Sequence, residues 1–378
     1  MSSGSSRITR SNSRRFRIIL FIVSGVYVRA CGRTCQSVFG IMKYPGFMIK
    51  KCELIFGILL IILLSATGGY FYGTRKYSTF LDSVHLVRAN DSSYFFVHPI
   101  LGFESPNALT INQFSPLVSK VKDIFNSNKG VVNRYSVYFR DLNKGFWIGI
   151  NENDTYDPAS MLKVALAVTV YKQAETDPSF LQSSALYTPA LTKIIEEVPY
   201  SSPSQLKLGQ SYVIEDLISR MIVDSDNGAK DILANNVNQN ILQEVYTDLG
   251  IVPPGDTENY KISAKKYIVF FRTLYGGAYL NKEYSNDLLK LLSQTTFNNG
   301  LVGGVASSTI VSHKYGEHIN SADNTITSTE LHDCGIVYQA GNPYLLCIMT
   351  EGKDESDLAS VIAGVSRVVN DEVVSGYK

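Results

Sequence analysis

Strand-like alternation is confined to two separated blocks of this chain, and the stretch between them is helical in pattern. The first block is a hairpin, Tyr135 to Leu142 and then Gly145 to Ile150. The second is three runs, 306–314, 331–339 and 343–351. Helical patterns fill the middle at 158–175, 189–197, 213–223, 228–236, 240–249, 263–275 and 284–294. Another precedes the hairpin at 112–126, and a last one closes the chain at 355–371. A sheet made from these blocks must join the early hairpin to the late strands across the helical middle. That is an α+β, layered arrangement, and it excludes a βαβ repeat. There is no internal repeat or low-complexity tract.

Three short motifs punctuate this pattern. Ser160 and Lys163 lie in Asp157-Pro158-Ala159-Ser160-Met161-Leu162-Lys163-Val164. Proline favours the first turn of a helix and the following apolar run has no breaker, so the segment reads as a helix start. A spacing of three puts serine and lysine on one face. Serine is a poor nucleophile unless a base stands beside it, and lysine becomes that base when burial and a helix N-terminus disfavour its charge. Ser225-Asp226-Asn227 follows between two helical patterns, and Lys314-Tyr315-Gly316 follows a strand-like run. Taken singly, the second motif reads as a helix N-cap and the third as a strand end and turn.

In this order the motifs carry more. Ser-x-x-Lys, then Ser-Asp-Asn, then Lys-x-Gly is the order found in penicillin-recognising serine enzymes. From about Val131 to the C-terminus the chain resembles the class A β-lactamases, and more loosely the related D,D-peptidases. The resemblance implies a three-layer α/β/α fold with an antiparallel sheet and a mainly helical middle. It implies that Ser160 attacks an amide carbonyl and that Lys163 accepts its proton. Ser225 would pass a proton to the leaving nitrogen, helped by the field of Lys314. Asn227 would hydrogen-bond the side-chain amide of the substrate, and Gly316 would let the backbone approach closely. The backbone N–H groups of Ser160 and Glu317 would form the oxyanion hole, whose donors are each worth roughly 3–4 kcal/mol in the transition state. No cofactor or metal is implied.

Two departures from the family pattern are visible. Tyr315 stands where the family has a threonine or serine whose hydroxyl helps hold a substrate carboxylate. The Glu-x-x-Leu-Asn segment, whose glutamate activates the deacylating water, has no counterpart. The corresponding stretch, Leu249 to Tyr260, looks shortened, and Glu258 is the candidate substitute. Three functions therefore stand side by side. The first is a β-lactam hydrolase, the second a cell-wall D,D-peptidase with slow deacylation acting on D-Ala-D-Ala-type peptides, and the third a non-catalytic module that kept the fold. A scaffold has no need of Ser160, Lys163, Ser225 and Lys314 together, which disfavours the third.

The formal net charge of +1 hides an asymmetry. Residues 1–52 hold ten Lys/Arg and no acid, whereas residues 77–378 hold 23 Lys/Arg against 33 Asp/Glu. Between them Leu54 to Gly73 runs twenty residues without a charge, about the length of a membrane-crossing helix. Lys43, Lys50 and Lys51 before it, against Arg75 and Lys76 after it, put the N-terminus in the cytoplasm and the acidic part outside. The expected layout is a basic tail (1–53, or sequence upstream of the native start), a retained signal-anchor (54–73), a stalk (74–108) and a catalytic domain (109–378). The alternative is a cleaved signal, with small residues at Ser65-Ala66-Thr67-Gly68.

Five cysteines and five histidines complete the candidate ligands. Cys31 and Cys35 have no matching pair for zinc. Cys334 and Cys347 lie on two strand-like runs joined by a turn at Ala340 to Pro343, so two buried thiols are the expectation and a cross-strand disulfide the alternative. The histidines (85, 98, 313, 318 and 332) lack metal-ligand spacing, and His313 and His318 read as surface or strand-end residues. With no phosphate-binding loop, no dinucleotide fingerprint and no basic patch on the acidic part, nucleotide cofactors and nucleic acid are not expected.

Overall fold

The computed structural model describes residues 57–70, 86–88, 93–103, 115–188, 206–255, 260–322 and 325–377. Contacts divide the chain into two units, residues 1–79 and 80–378.

The larger unit is built on one five-stranded sheet. Its strands are β1 (Val132–Asp141), β2 (Trp147–Ile150), β3 (Val311–Ala322), β4 (Thr325–Val337) and β5 (Tyr344–Gly352), in the order β2-β1-β5-β4-β3. Every pairing is antiparallel. The early hairpin joins the late strands through β1 and β5, with Tyr138 opposite Cys347, so the expected closure across the helical middle holds. β3 is an edge strand.

The helices are α1 (Ser115–Ser127), α2 (Lys163–Thr176), α3 (Ile214–Val223), α4 (Asn227–Asn236), α5 (Gln239–Asp248), α6 (Val269–Gly276), α7 (Lys282–Leu292) and α8 (Glu355–Val374). The pattern expected as one helix over 263–275 is a single turn, Ala264–Tyr267, capped by Ser263 and followed by α6. The pattern at 189–197 lies outside the described residues.

Strand alternation sends each residue of β5 to one of two cores. Leu345, Cys347 and Met349 pack with the helical middle, α2 to α7. Tyr344, Leu346 and Ile348 pack with α1 and α8. The sheet is thus covered on both faces, which gives the three α/β/α layers. α2 is buried from Lys163 through Tyr171, as a helix in the centre of a helical layer must be. This places Lys163 at a helix N-terminus inside the protein.

Cys334 and Cys347 face each other across β4 and β5 and are bonded as a disulfide. The expectation of two buried thiols is therefore corrected. Each lies three residues from the last pair of the ladder, Val337 and Tyr344, so they are directly opposed partners whose Cβ atoms stand close enough to bridge.

Part of the stretch expected as a stalk belongs to the packed body. Phe96 and Val97 are buried in the core with Tyr138 and Tyr275, and the His98 N–H donates to Tyr275 O at 2.8 Å. In the smaller unit, residues 57–70 are helical and carry exposed apolar side chains, among them Ile61, Leu63 and Leu64. Among the described residues no helix is long and apolar enough to cross a membrane.

Candidate active site

The turn that presents Ser160 is held from below by the sheet. Pro158 caps a short 3-10 helix, Ala159–Leu162, and the α-helix begins only at Lys163. The expected helix start is thus one turn of tighter helix leading into α2. Ala159 has φ +45°, a conformation unusual for a side-chain-bearing residue. Four bonds hold it there. Asp157 Oδ1 accepts the Ala159 N–H at 2.8 Å, and the Asp157 N–H donates to Glu330 Oε2 at 2.8 Å. The Thr350 N–H donates to His332 Nδ1 at 3.2 Å, which leaves the ring proton on Nε2. Nε2 then donates to Asp157 O at 2.9 Å.

Ser225 and Asn227 come from the junction of α3 and α4. Asp226 is the N-cap of α4, its Oδ1 accepting the Ala229 N–H at 3.1 Å. The capping role read for this motif is therefore carried by the middle residue alone. Ser225 has φ +58°, and this turn points its side chain at two lysines. Lys163 Nζ lies 3.0 Å from Ser160 Oγ, 3.0 Å from Ser225 Oγ, 2.5 Å from Ser225 O and 2.7 Å from Asn227 Oδ1. Lys314 Nζ approaches the same Ser225 Oγ at 3.0 Å. Ser160, Lys163, Ser225, Asn227 and Lys314 thus converge on one point.

Electrostatics disfavours two charged lysines there. Burial holds Lys163 well below the ordinary lysine value, and the positive charges of Lys314 and Lys230 add to this against the opposing pull of Asp226 and Asp231. Burial likewise brings Lys314 down to about 7, against the pull of Asp333. A neutral amine has two N–H donors and one lone pair. On Lys163 the two shortest contacts, Ser225 O and Asn227 Oδ1, take the N–H groups. The lone pair is then left for the Ser160 hydroxyl at 3.0 Å, which is the geometry of a general base.

The edge strand β3 closes the other side. A Cβ on Gly316 would stand 2.5 Å from Pro158 O and 2.8 Å from Met161 Cγ, so only glycine lets β3 pass this close to the Ser160 turn. Tyr315 stacks on Phe297 with centroids 4.3 Å apart, and Lys314 Nζ lies 4.3 Å over the Tyr315 ring. The bulky phenol thus covers the buried ammonium. Burial and the nearby Glu355 push the Glu317 carboxyl up to about 7.

Several residues of the site carry no sequence signal. Glu330, His332 and Thr350 shape the Ser160 turn from the sheet, and only register could have placed them. His313 is buried, with Nδ1 2.7 Å from Asp333 Oδ1, so its expectation as a surface or strand-end residue is corrected. Asp333 also accepts the Leu301 N–H at 2.8 Å, and this network backs the strand that carries Lys314. Glu258 lies outside the described residues. Among the described residues no group of three His, Cys, Asp or Glu is arranged to hold a metal ion.

Comparison with known proteins bears on this constellation. The profile of the beta-lactamase enzyme family matches residues 116–373. No curated protein sequence matches the chain. Among solved structures, PBP-A superposes with a TM-score of 0.59 at 19% identity, covering 71% of this chain and 99% of its own. A β-lactamase from Chitinophaga pinensis gives 0.59 at 22%, covering 68% of this chain and 100% of its own. A single-site mutant of PBP-A, solved as an acyl-enzyme with penicillin G, gives 0.57 at 19%, with 69% and 97% covered. These likenesses show a shared fold, and the family match spans more than half of the chain. The chain belongs to the beta-lactamase enzyme family of serine hydrolases.

Proposed function

We propose that this chain is a membrane-tethered serine hydrolase that opens β-lactam amides through an acyl-enzyme on Ser160. The observation that carries the reading is the Lys163 amine, 3.0 Å from Ser160 Oγ with its two shortest contacts going to acceptors. Lys163 takes the hydroxyl proton as Oγ bonds to the carbonyl carbon. The C–N bond then breaks, and the proton passes through Ser225, which both lysines touch, to the leaving nitrogen. The backbone N–H groups of Ser160 and Glu317 receive the developing oxyanion, and Asn227 holds the acyl side chain. Lys314 supplies positive charge beside Ser225. The Tyr315 ring lies over Lys314, so a substrate carboxylate meets an altered anchor in which the lysine and Gly316 remain. The uncharged run 54–73 serves as the anchor, with the catalytic unit outside the cytoplasm.

The second reading is a D,D-peptidase that acylates in the same way but is slow to release. The missing Glu-x-x-Leu-Asn segment favours it, as does the likeness to PBP-A, whose mutant holds penicillin G as an acyl-enzyme. Turnover separates the two. Penicillin G should be hydrolysed over many cycles by the full chain and not at all by Ser160→Ala. A single stoichiometric burst without turnover would replace the first reading with the second.

A further inference from the structure

Asp231 is a buried carboxylate that the chemistry above leaves unused. It is 3% exposed and sits one helical turn after Asn227 on α4, so both side chains leave the same helix face. Asn227 Oδ1 on that face accepts from Lys163 Nζ at 2.7 Å. Asp231 and Lys163 are near enough to act on each other: the acid favours the charged lysine, and the lysine favours the charged acid. Lys230 Nζ fixes Asp231 Oδ1 at 2.6 Å. Asp231 Oδ2 is buried, and no donor among the described residues reaches it. A buried carboxylate oxygen without a partner is costly, and a water molecule is the small donor that relieves the cost. Such a water would lie on the face of α4 that carries Asn227, whose Oδ1 meets the Lys163 amine that stands 3.0 Å from Ser160 Oγ.

We propose that Asp231 is the base that activates water for hydrolysis of the Ser160 acyl-enzyme. The inference rests on the acyl-enzyme reading above. Asp231 Oδ2 takes one proton from the water as the water oxygen bonds to the ester carbonyl carbon. The bond between that carbon and Ser160 Oγ then breaks, and its electron pair stays on Oγ. The proton held by Asp231 returns through Lys163 to Oγ, so one ester and one water become a free acid and the serine hydroxyl. Lys230 holds the other oxygen and so fixes which lone pair faces the water. Burial raises the acid above the ordinary aspartate value, which makes it a better base.

The test follows formation and decay of the penicillin G adduct by quenched-flow intact mass, using the full chain. Asp231→Asn should acylate within about threefold of the wild-type rate, while the adduct decays about 10²-fold more slowly. Equal slowing of both steps would mean that the acid acts only through Lys163 and would overturn the proposal. Unchanged decay would do the same. Should asparagine at this buried site prevent folding, Asp231→Glu moves the carboxylate by one methylene. Decay should then slow about tenfold with acylation preserved, and unchanged decay would overturn the proposal. A wild-type adduct that never decays refutes the role of Asp231 and leaves acylation intact. A wild-type Ser160 that forms no adduct refutes the acyl-enzyme reading itself.

Discussion

Replacing Lys163 with methionine should slow acylation of Ser160 by about 10³-fold while the protein stays folded. Methionine fills the buried space and removes the amine that stands 3.0 Å from the hydroxyl. Ser225 O and Asn227 Oδ1 each lose a donor, which lowers stability by about 1–3 kcal/mol apiece. The pH profile carries the same signature. Two lysines face the single Ser225 hydroxyl, so they titrate as a pair with macroscopic values. The competent state has Lys163 neutral and Lys314 charged. Acylation should therefore rise with pH as Lys163 loses its proton, well below the ordinary 10.5, and fall again as Lys314 loses its own. In Lys163→Met the rising limb should be gone. Stopped-flow acylation across pH checks both statements, and an unaltered rising limb would show that another group is the base.

Gly316→Ala should cost at least about 10² in acylation rate, although the residue has no functional group. The added Cβ would meet Pro158 O at 2.5 Å, and that oxygen is backbone in the turn that carries Ser160. Either β3 moves away, taking the Glu317 N–H with it, or the Ser160 turn moves. Both misplace a group by a few tenths of an ångström to an ångström, and catalysis is steep in such displacements. Overpacking of this kind also lowers stability by about 1–3 kcal/mol. Urea unfolding together with burst kinetics separates the two effects. A wild-type burst rate in Gly316→Ala would mean that β3 does not position the reacting groups.

What the sequence made legible depends on how local each signal is. Ser160 and Lys163 are a turn apart on one segment, so their juxtaposition follows from helix geometry. The sheet was legible because the strand-like runs stand in two blocks on either side of a helical middle, so the early hairpin has to pair with the late strands. The Ser160 turn was not. Glu330 and His332 reach Asp157 from β4, 173 and 175 residues away in sequence. Their role depends on strand register and on the sheet facing the turn. His313 was misread because a strand-end position says nothing about burial, whereas its partner Asp333 lies on the neighbouring strand. The disulfide was half-legible: spacing about a turn gives opposed cysteines, but spacing alone does not choose between thiols and a bond. Asp231 lacked any motif. Its meaning comes from sharing a helix face with Asn227 and from an oxygen left without a partner.

The central claim is that Ser160 is the acylated nucleophile. The most direct test is intact mass followed by peptide mapping of the full chain after brief exposure to penicillin G, with Ser160→Ala alongside. One penicilloyl group per chain is expected, carried on the peptide containing Ser160 and absent from the alanine variant. A folded wild type without an adduct, or an adduct that survives Ser160→Ala, would contradict that claim.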